Sequence, residues 1–115
     1  MIESIVYDFL SDNMTVPVYM EIPSDPPTKM IVLEKTGSSQ ENLIKRATFA
    51  IQSYGKSLFE AAGLNETLKE IMMDGLDGLL SLDEISAVNL NSDYNFTDTT
   101  TKKYRYQAVF DIVYY

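Results

Sequence analysis

The hydrophobic period of the sequence changes at Gly55, and this change restricts the fold more than any other feature. Over residues 46–54 (RATFAIQSY) apolar side chains alternate, which is typical of a β-strand with one buried face. From Gly55 to about residue 76 they recur every three to four positions, as in an amphipathic helix. A strand therefore leads directly into a long helix. Gly63 lies inside the helical pattern and indicates either close packing on the sheet or a break into two helices.

The other segments predict one more helix and four more strands. Residues 1–12 carry a helical stripe of five apolar side chains, Ile2, Ile5, Val6, Phe9 and Leu10. The four further strands are predicted over residues 15–22, 29–36, 85–94 and 103–115. Polar connections are predicted between them, as a turn at 24–28, a short loop over 37–45 and a hairpin tip or longer mobile loop at 97–102.

The resulting order is α-β-β-β-α-β-β, and no βαβ unit repeats. We therefore expect a single α+β domain over residues 1–115, with an antiparallel or mixed sheet of about five strands and two helices packed on one face. Pro17 places the first strand at an edge, because it cannot donate to a central ladder. Four consecutive apolar residues, Met30 to Leu33, predict that both faces of the second strand are covered. One layer of helices cannot bury both faces, which favours a partner surface.

The amino-acid inventory restricts the available chemistry. The chain has 115 residues with neither cysteine nor histidine. Disulfides, zinc sites of the usual kind, thiol nucleophiles and Ser-His-Asp triads are therefore excluded. Catalysis would need a pocket with two converging carboxylates, and sequence cannot show convergence. We expect a protein that is not an enzyme, and assign no catalytic, cofactor-binding or metal-binding residues.

The charge distribution also argues against nucleic-acid recognition. The net charge is −8, and the segment from Glu60 to Glu84 carries seven acidic residues against the single base Lys69. A basic footprint for sequence-specific nucleic-acid binding is missing. The N-terminus lacks the basic region of a signal peptide, and no stretch approaches the roughly 20 apolar residues of a membrane span. We expect no membrane partner.

Gly55-Lys56-Ser57 lies between a strand and a helix, where a phosphate-binding P-loop would place these residues. A P-loop needs G-x-x-x-x-G-K-[ST], but Ala50 occupies the position of the first glycine. The alternating pattern also continues to Tyr54, so the segment that would cradle phosphate is still strand. A tight strand-to-helix turn at Gly55, with Lys56 and Ser57 in the first turn of the helix, is the favoured interpretation.

Two other segments invite a binding function. The acidic run 74–84 (DGLDGLLSLDE) suggests a calcium loop, but counting from Asp74 the third and fifth positions are Leu76 and Gly78, which offer no side-chain oxygen. A helix end and a solvated turn are favoured instead. Aromatic residues of the last strand, Tyr104, Tyr106 and Phe110, could stack on bases. Core packing or a subunit interface is favoured, because the protein is acidic.

Several phrases, together with the element order, resemble tail terminator (tail completion) proteins of long-tailed bacteriophages and their prophages. The phrases are VPVYMEIP (16–23), MIVLEKTG (30–37), RATFAIQSYG (46–55) and KYRYQAVFDIVYY (103–115). The resemblance spans nearly the whole chain and consists of pattern rather than an invariant catalytic motif. The short loop predicted over residues 37–45 departs from the family pattern.

The resemblance implies a structural virion protein of the tail or neck, assembled in the bacterial host cytoplasm. Such proteins form hexameric rings that cap the tail tube, terminate tail polymerisation and prepare the tail for joining to the head. The implied partners are other copies of the chain, the major tail tube protein and the head–tail connector protein. The open alternatives are another phage neck or minor tail component, and a small acidic module that binds a protein through an exposed strand edge.

Overall fold

The computed structural model describes all 115 residues in two α-helices, one 3₁₀ helix and five strands. Helix α1 spans Ile2–Asn13 and helix α2 spans Leu58–Met73, and the 3₁₀ helix spans Leu79–Ser81. The strands are β1 (Val18–Tyr19), β2 (Met30–Glu41), β3 (Ile44–Gly55), β4 (Ile85–Asn95) and β5 (Tyr104–Tyr114). The predicted α+β class and the order α-β-β-β-α-β-β are confirmed. Neither helix has the length and apolarity needed to cross a bilayer.

The five strands form one mixed sheet in the order β1-β2-β3-β5-β4. Strand β1 runs parallel to β2, and all other neighbours are antiparallel. Strand β3 lies at the centre and pairs along its whole length, with β2 on one side and β5 on the other. The sheet therefore has two edges, the very short β1 beside the start of β2 and the long β4 on the opposite side.

Both helices pack on one face of this sheet and share one hydrophobic core. Alternate residues of the central strands point toward the helices, and a side chain at every second position is fully buried. The core side chains of the sheet include Ile31, Leu33, Phe49, Ile51, Phe110 and Ile112. The core side chains of the helices include Val6, Phe9, Leu10, Leu68 and Met72. The other face of the sheet carries no helix.

The prediction of a short loop over residues 37–45 is wrong. Strands β2 and β3 continue as one antiparallel hairpin with Glu41 opposite Ile44, and Asn42 and Leu43 form its turn. Both turn residues have positive φ (53° and 77°), the backbone conformation that matches the twist of two-residue hairpin loops. The segment was missed because its side chains are mostly polar and almost all exposed, so backbone pairing, rather than alternating burial, makes it a strand.

The first strand was predicted too long. Only Val18 and Tyr19 of residues 15–22 pair with a neighbour. Pro17 lacks an N–H, and its carbonyl accepts a hydrogen bond from Ile31 at 2.9 Å, so the pairing can begin only there. The chain then leaves the sheet and returns as β2, since parallel neighbours need a crossover connection.

The two faces of β2 are both covered, as predicted, but within the chain itself. Met30 and Val32 point away from the helices and are buried by Tyr54 and the half-buried Tyr19. The expectation that this strand needs a partner surface is therefore wrong. The aromatic side chains of β1 and β3 supply the second layer that a count of helices could not reveal.

Helix α2 ends earlier than predicted and is not broken at Gly63. It runs without interruption through Gly63, where an added Cβ would meet nothing within 4 Å. It ends at Met73, because the Asp74 carboxylate accepts hydrogen bonds from the N–H groups of Leu76 and Asp77 and turns the chain. The chain then forms the 3₁₀ helix, whose Leu79 is fully buried in the core.

Replacing Phe49 by alanine should destabilise the protein by about 3–5 kcal/mol, because Phe49 is fully buried on the central strand and its removal leaves a cavity. Urea denaturation measures the change. Phe59→Ala is the matched control, since Phe59 is 89% exposed on α2. Equal effects of the two substitutions would contradict the assignment of the inward face of β3.

The ion pair between Glu3 and Lys35 (3.0 Å) fastens α1 to β2. The hydrogen bond from Lys35 lowers the pKa of Glu3 below 4.5. Because the folded pKa is depressed, this contribution to stability is full above pH 4.5 and is lost as the pH falls through the folded value. Glu3→Gln should lower the free energy of unfolding by less than about 1 kcal/mol at pH 7, and by progressively less as the pH falls below 4.5. Urea denaturation over this pH range measures the change. Glu34→Gln, which breaks no ion pair, should leave the free energy of unfolding unchanged over the same pH range. A loss of stability in Glu3→Gln that did not shrink at low pH would refute the assignment.

Candidate interaction surface

The helix-free face of the sheet presents outward side chains of β2, β3, β5 and β4. We call it the open face. Cross-strand partners place Thr48 beside Asp111, Gln52 beside Gln107 and Tyr54 beside Arg105. The outward positions of β3 and β5 are thus mainly polar, whereas the inward positions are apolar. The register that buries Phe49 and Phe110 also aligns these polar pairs.

A continuous chain of hydrogen bonds crosses the open face from β3 to β4. Tyr54 donates its hydroxyl hydrogen to Gln52 Oε1 (3.0 Å), and Gln52 Nε2 donates to Gln107 Oε1 (3.0 Å). Gln107 Nε2 in turn donates to the Tyr94 hydroxyl oxygen. Each amide uses both its donor and its acceptor, so the orientation of one side chain fixes the next.

Arg105 extends this chain into an aromatic cluster. Its Nη1 donates to the Tyr54 hydroxyl oxygen (2.9 Å) and its Nε to the carbonyl oxygen of Phe96 (2.7 Å). The guanidinium lies 4.5 Å from the Phe96 ring centroid, and Phe96 meets Tyr94 edge to face at 5.9 Å. Tyr94 and Phe96 remain 42% and 39% exposed, so they can contact a partner while their neighbours hold them in place.

A second polar cluster surrounds Asp111 farther along β5. Its two carboxylate oxygens accept hydrogen bonds from the Thr48 hydroxyl (2.8 Å) and the Asn91 amide (2.9 Å). The carboxylate thereby joins β3 and β4 across β5. Together the two clusters form a broad, preordered surface with both polar and aromatic contacts, the composition of a protein-binding interface.

The structure gives the GKS segment a structural role. Gly55 is the last residue of β3, and Ser57 is the N-cap of α2, whose hydroxyl accepts a hydrogen bond from the N–H of Glu60 (3.2 Å). Helix α2 begins at Leu58, so Lys56 and Ser57 precede it rather than occupy its first turn. Gly55 does not have positive φ. It is required because an added Cβ would lie 2.6 Å from the Ala61 nitrogen.

Gly55→Ala and Gly63→Ala should change stability in opposite directions. The first forces the strand end away from α2 and should cost about 1–3 kcal/mol, as overpacking does. The second fills open space in a helix and should stabilise by about 0.5–1 kcal/mol, because alanine is the better helix former. Paired urea denaturation curves test this. Stabilisation by Gly55→Ala would contradict the close approach of β3 to α2.

The perturbed pKa values on the surface all follow from structural contacts. Backbone hydrogen bonds from Leu76 and Asp77 lower the pKa of Asp74. Hydrogen bonds from Thr101 and Thr100 lower the pKa of Asp98 in the β4–β5 connection, which is a tight hairpin tip. A hydrogen bond to Glu66 and, to a smaller extent, one to Asp93 raise the pKa of Lys69. The Asp74 carboxylate thus stabilises a turn, which agrees with the interpretation of residues 74–84 as a helix end followed by a turn.

The aromatic side chains of β5 are divided between two environments. Phe110 is fully buried against the helices and cannot stack on a base. Tyr104 and Tyr106 lie on the same side of the strand and are half-buried. Beside Arg105 the exposed aromatic residues are Tyr94 on β4 and Phe96 just after it. Sequence reasoning missed them because their cluster depends on the pairing of β4 with β5.

Comparison with protein-family models and with curated proteins finds no match for this chain.

Proposed function

We propose that this protein is a structural component of a bacteriophage tail that assembles into a ring, caps the tail tube and prepares the tail for joining to the head. The open face is the observation that carries the proposal. Four strands present there a preordered set of amide, carboxylate and aromatic side chains. Such a surface suits attachment to a broad partner, because ordered side chains lose little entropy on binding.

The fold is consistent with the resemblance to tail terminator proteins. The order α-β-β-β-α-β-β agrees with the family pattern, and three of the four resembling phrases coincide with the ordered strands β2, β3 and β5. The chain is elongated, with extents of 44 × 26 × 25 Å. Subunits that repeat one heterologous contact form a ring when the rotation closes on itself and an open filament when it does not. The partners would be other copies of the chain, the tail tube protein and the head–tail connector.

A structural role accords with the contacts of the acidic residues whose pKa is shifted. The acidic residues with shifted pKa values, Glu3, Asp74 and Asp98, each serve an ion pair or a turn. The chain contains neither histidine nor cysteine. Ring formation requires complementary surfaces only, and the protein would act in the virion after assembly in the bacterial cytoplasm.

One observation favours a second candidate, a small acidic module that binds an extended peptide. Strand β4 pairs only with β5, so its other edge over Ile85–Asn95 is free to accept an additional strand. Its pairing with β5 is irregular between Ile85 and Ala87 and between Leu90 and Ser92. Such bulges twist an edge away from further pairing, which makes this candidate the weaker one.

The ring proposal is tested by light scattering and negative-stain microscopy of the protein alone and mixed with tail tubes. We expect six-fold rings, or tube ends closed by the protein. Phe96→Ala should weaken assembly about 30-fold, the effect of losing a 2 kcal/mol interface anchor.

Phe59→Ala is the control, because Phe59 is an exposed aromatic residue on the helical side. It should leave assembly unchanged. A wild-type protein that stays monomeric at high concentration and leaves tube ends bare would refute the proposal and favour the peptide-binding module.

A further inference from the structure

A groove with an apolar floor and an acidic rim lies between α1 and the segment that follows α2. Its floor is formed by Ile5, Phe9 and Leu82. Its rim carries four carboxylates, Asp8 and Asp12 from α1 and Asp77 and Glu84 from the loop around the 3₁₀ helix. We call it the acidic groove. Its volume of about 610 Å³ falls within the range of sites that receive a small group or a few side chains.

No basic side chain of the same chain neutralises the carboxylates of the acidic groove. The ion pairs of the protein involve Glu3, Glu60, Glu66 and Asp93, and none uses a carboxylate of the rim. No lysine or arginine occurs between residues 70 and 101, and none lines the groove. Four like charges around an apolar floor create a negative potential that a basic partner would relieve.

The β4–β5 hairpin tip is the basic counterpart. Asp98 Oδ1 accepts hydrogen bonds from the N–H groups of Thr100 and Thr101, and Asp98 pairs with Lys103 across the turn. The turn presents the exposed Lys102 and Lys103, and these two lysines line one pocket together with Lys56. We call Lys102 and Lys103 the basic turn. None of these three lysines forms an ion pair in the chain.

The acidic groove and the basic turn lie near opposite ends of β5. The basic turn directly precedes Tyr104, the first residue of β5. Beside the groove, the carbonyl oxygen of Glu84 accepts a hydrogen bond from Tyr115, just past the last residue of β5. Eleven strand residues span about 35 Å. One chain therefore cannot bring its own basic turn into its own groove.

We propose that the basic turn of one copy inserts into the acidic groove of the next copy. The basic turn is positive and lies at the tip of a hairpin, whereas the groove is concave and negative with an apolar floor. Every copy carries one of each, so the contact is heterologous and repeats head to tail. This inference rests on the proposed ring, because it names the contact that would join neighbouring subunits.

A second copy fits these two surfaces better than a free ligand does. Both halves of the contact occur once in the same chain, at separate ends and with opposite charge. A net charge of −8 makes copies repel one another at random orientations. A local pair of opposite charges selects the one orientation in which attraction dominates, and charged pairs act in this way mainly through orientation and specificity.

Charge-reversal variants test the contact. The turn variant carries Lys102→Glu and Lys103→Glu, and the groove variant carries Asp8→Lys, Asp12→Lys and Asp77→Lys. Each alone should weaken self-association at least about tenfold in analytical ultracentrifugation, with or without tail tubes. An equimolar mixture should recover assembly, because each turn then meets a groove of opposite charge. The matched controls, Glu70→Lys on α2 and Lys29→Glu beside it, lie on the helical side of the sheet and outside the groove, so they should assemble normally.

Disulfide trapping provides an independent measurement, because the chain has no cysteine of its own. Mixing Asp12→Cys protein with Lys103→Cys protein under mild oxidation should give a cross-linked heterodimer. Glu34→Cys protein mixed with Lys103→Cys protein should not. Cross-linking at equal rates in the two mixtures would overturn the proposed contact.

The outcomes separate this contact from the ring itself. Wild-type assembly that survives in both charge variants would refute the contact and leave the ring standing. Wild-type protein that never assembles would refute the ring. Binding of Mg²⁺ lost in the groove variant, or of single-stranded DNA lost in the turn variant, together with unchanged self-association, would assign these surfaces to other ligands and overturn the inference.

Discussion

The pairing of β3 with strands on both of its sides is the constraint on which the rest of the structure depends. Ten of its twelve residues, 45–54, pair with both β2 and β5, and its inward side chains form the centre of the core. A shift of one residue in either register would turn Phe49 outward and expose the polar Thr48 and Gln52 to the helices. The same register that buries the core therefore also builds the hydrogen-bond chain of the open face.

Much of this architecture is encoded in local periodicity, which is why the sequence predicts it. The alternation of residues 46–54 and the helical stripe after Gly55 depend on which side chains face the core, and burial leaves a direct trace in the amino-acid pattern. The helices, the five strands and their order were accordingly predicted correctly. The hairpin formed by residues 37–45 was not predicted, because most of its side chains are exposed and its strands are held mainly by backbone hydrogen bonds.

The candidate surface was less accessible to prediction because it depends on residues far apart in the chain. Gln52 and Gln107 are ordinary polar residues until the register of β3 and β5 makes them neighbours. The lysines of the basic turn and the carboxylates of the acidic groove likewise form two separate charged surfaces only when the fold places them at different ends of the molecule. Sequence reasoning did find the excess of acidic residues in 60–84, but Asp8 and Asp12, which complete the groove, lie outside that segment.

The charge distribution explains how a strongly acidic protein could assemble at all. Net repulsion between two copies acts over their full width of about 25 Å, which exceeds the Debye length of roughly 8 Å at physiological ionic strength. Contacts between lysines and carboxylates act over about 4 Å and are screened much less. Physiological salt therefore removes more of the repulsion than of the local attraction. Association would then be directional, because only the orientation that joins the basic turn to the acidic groove offers attraction at short range.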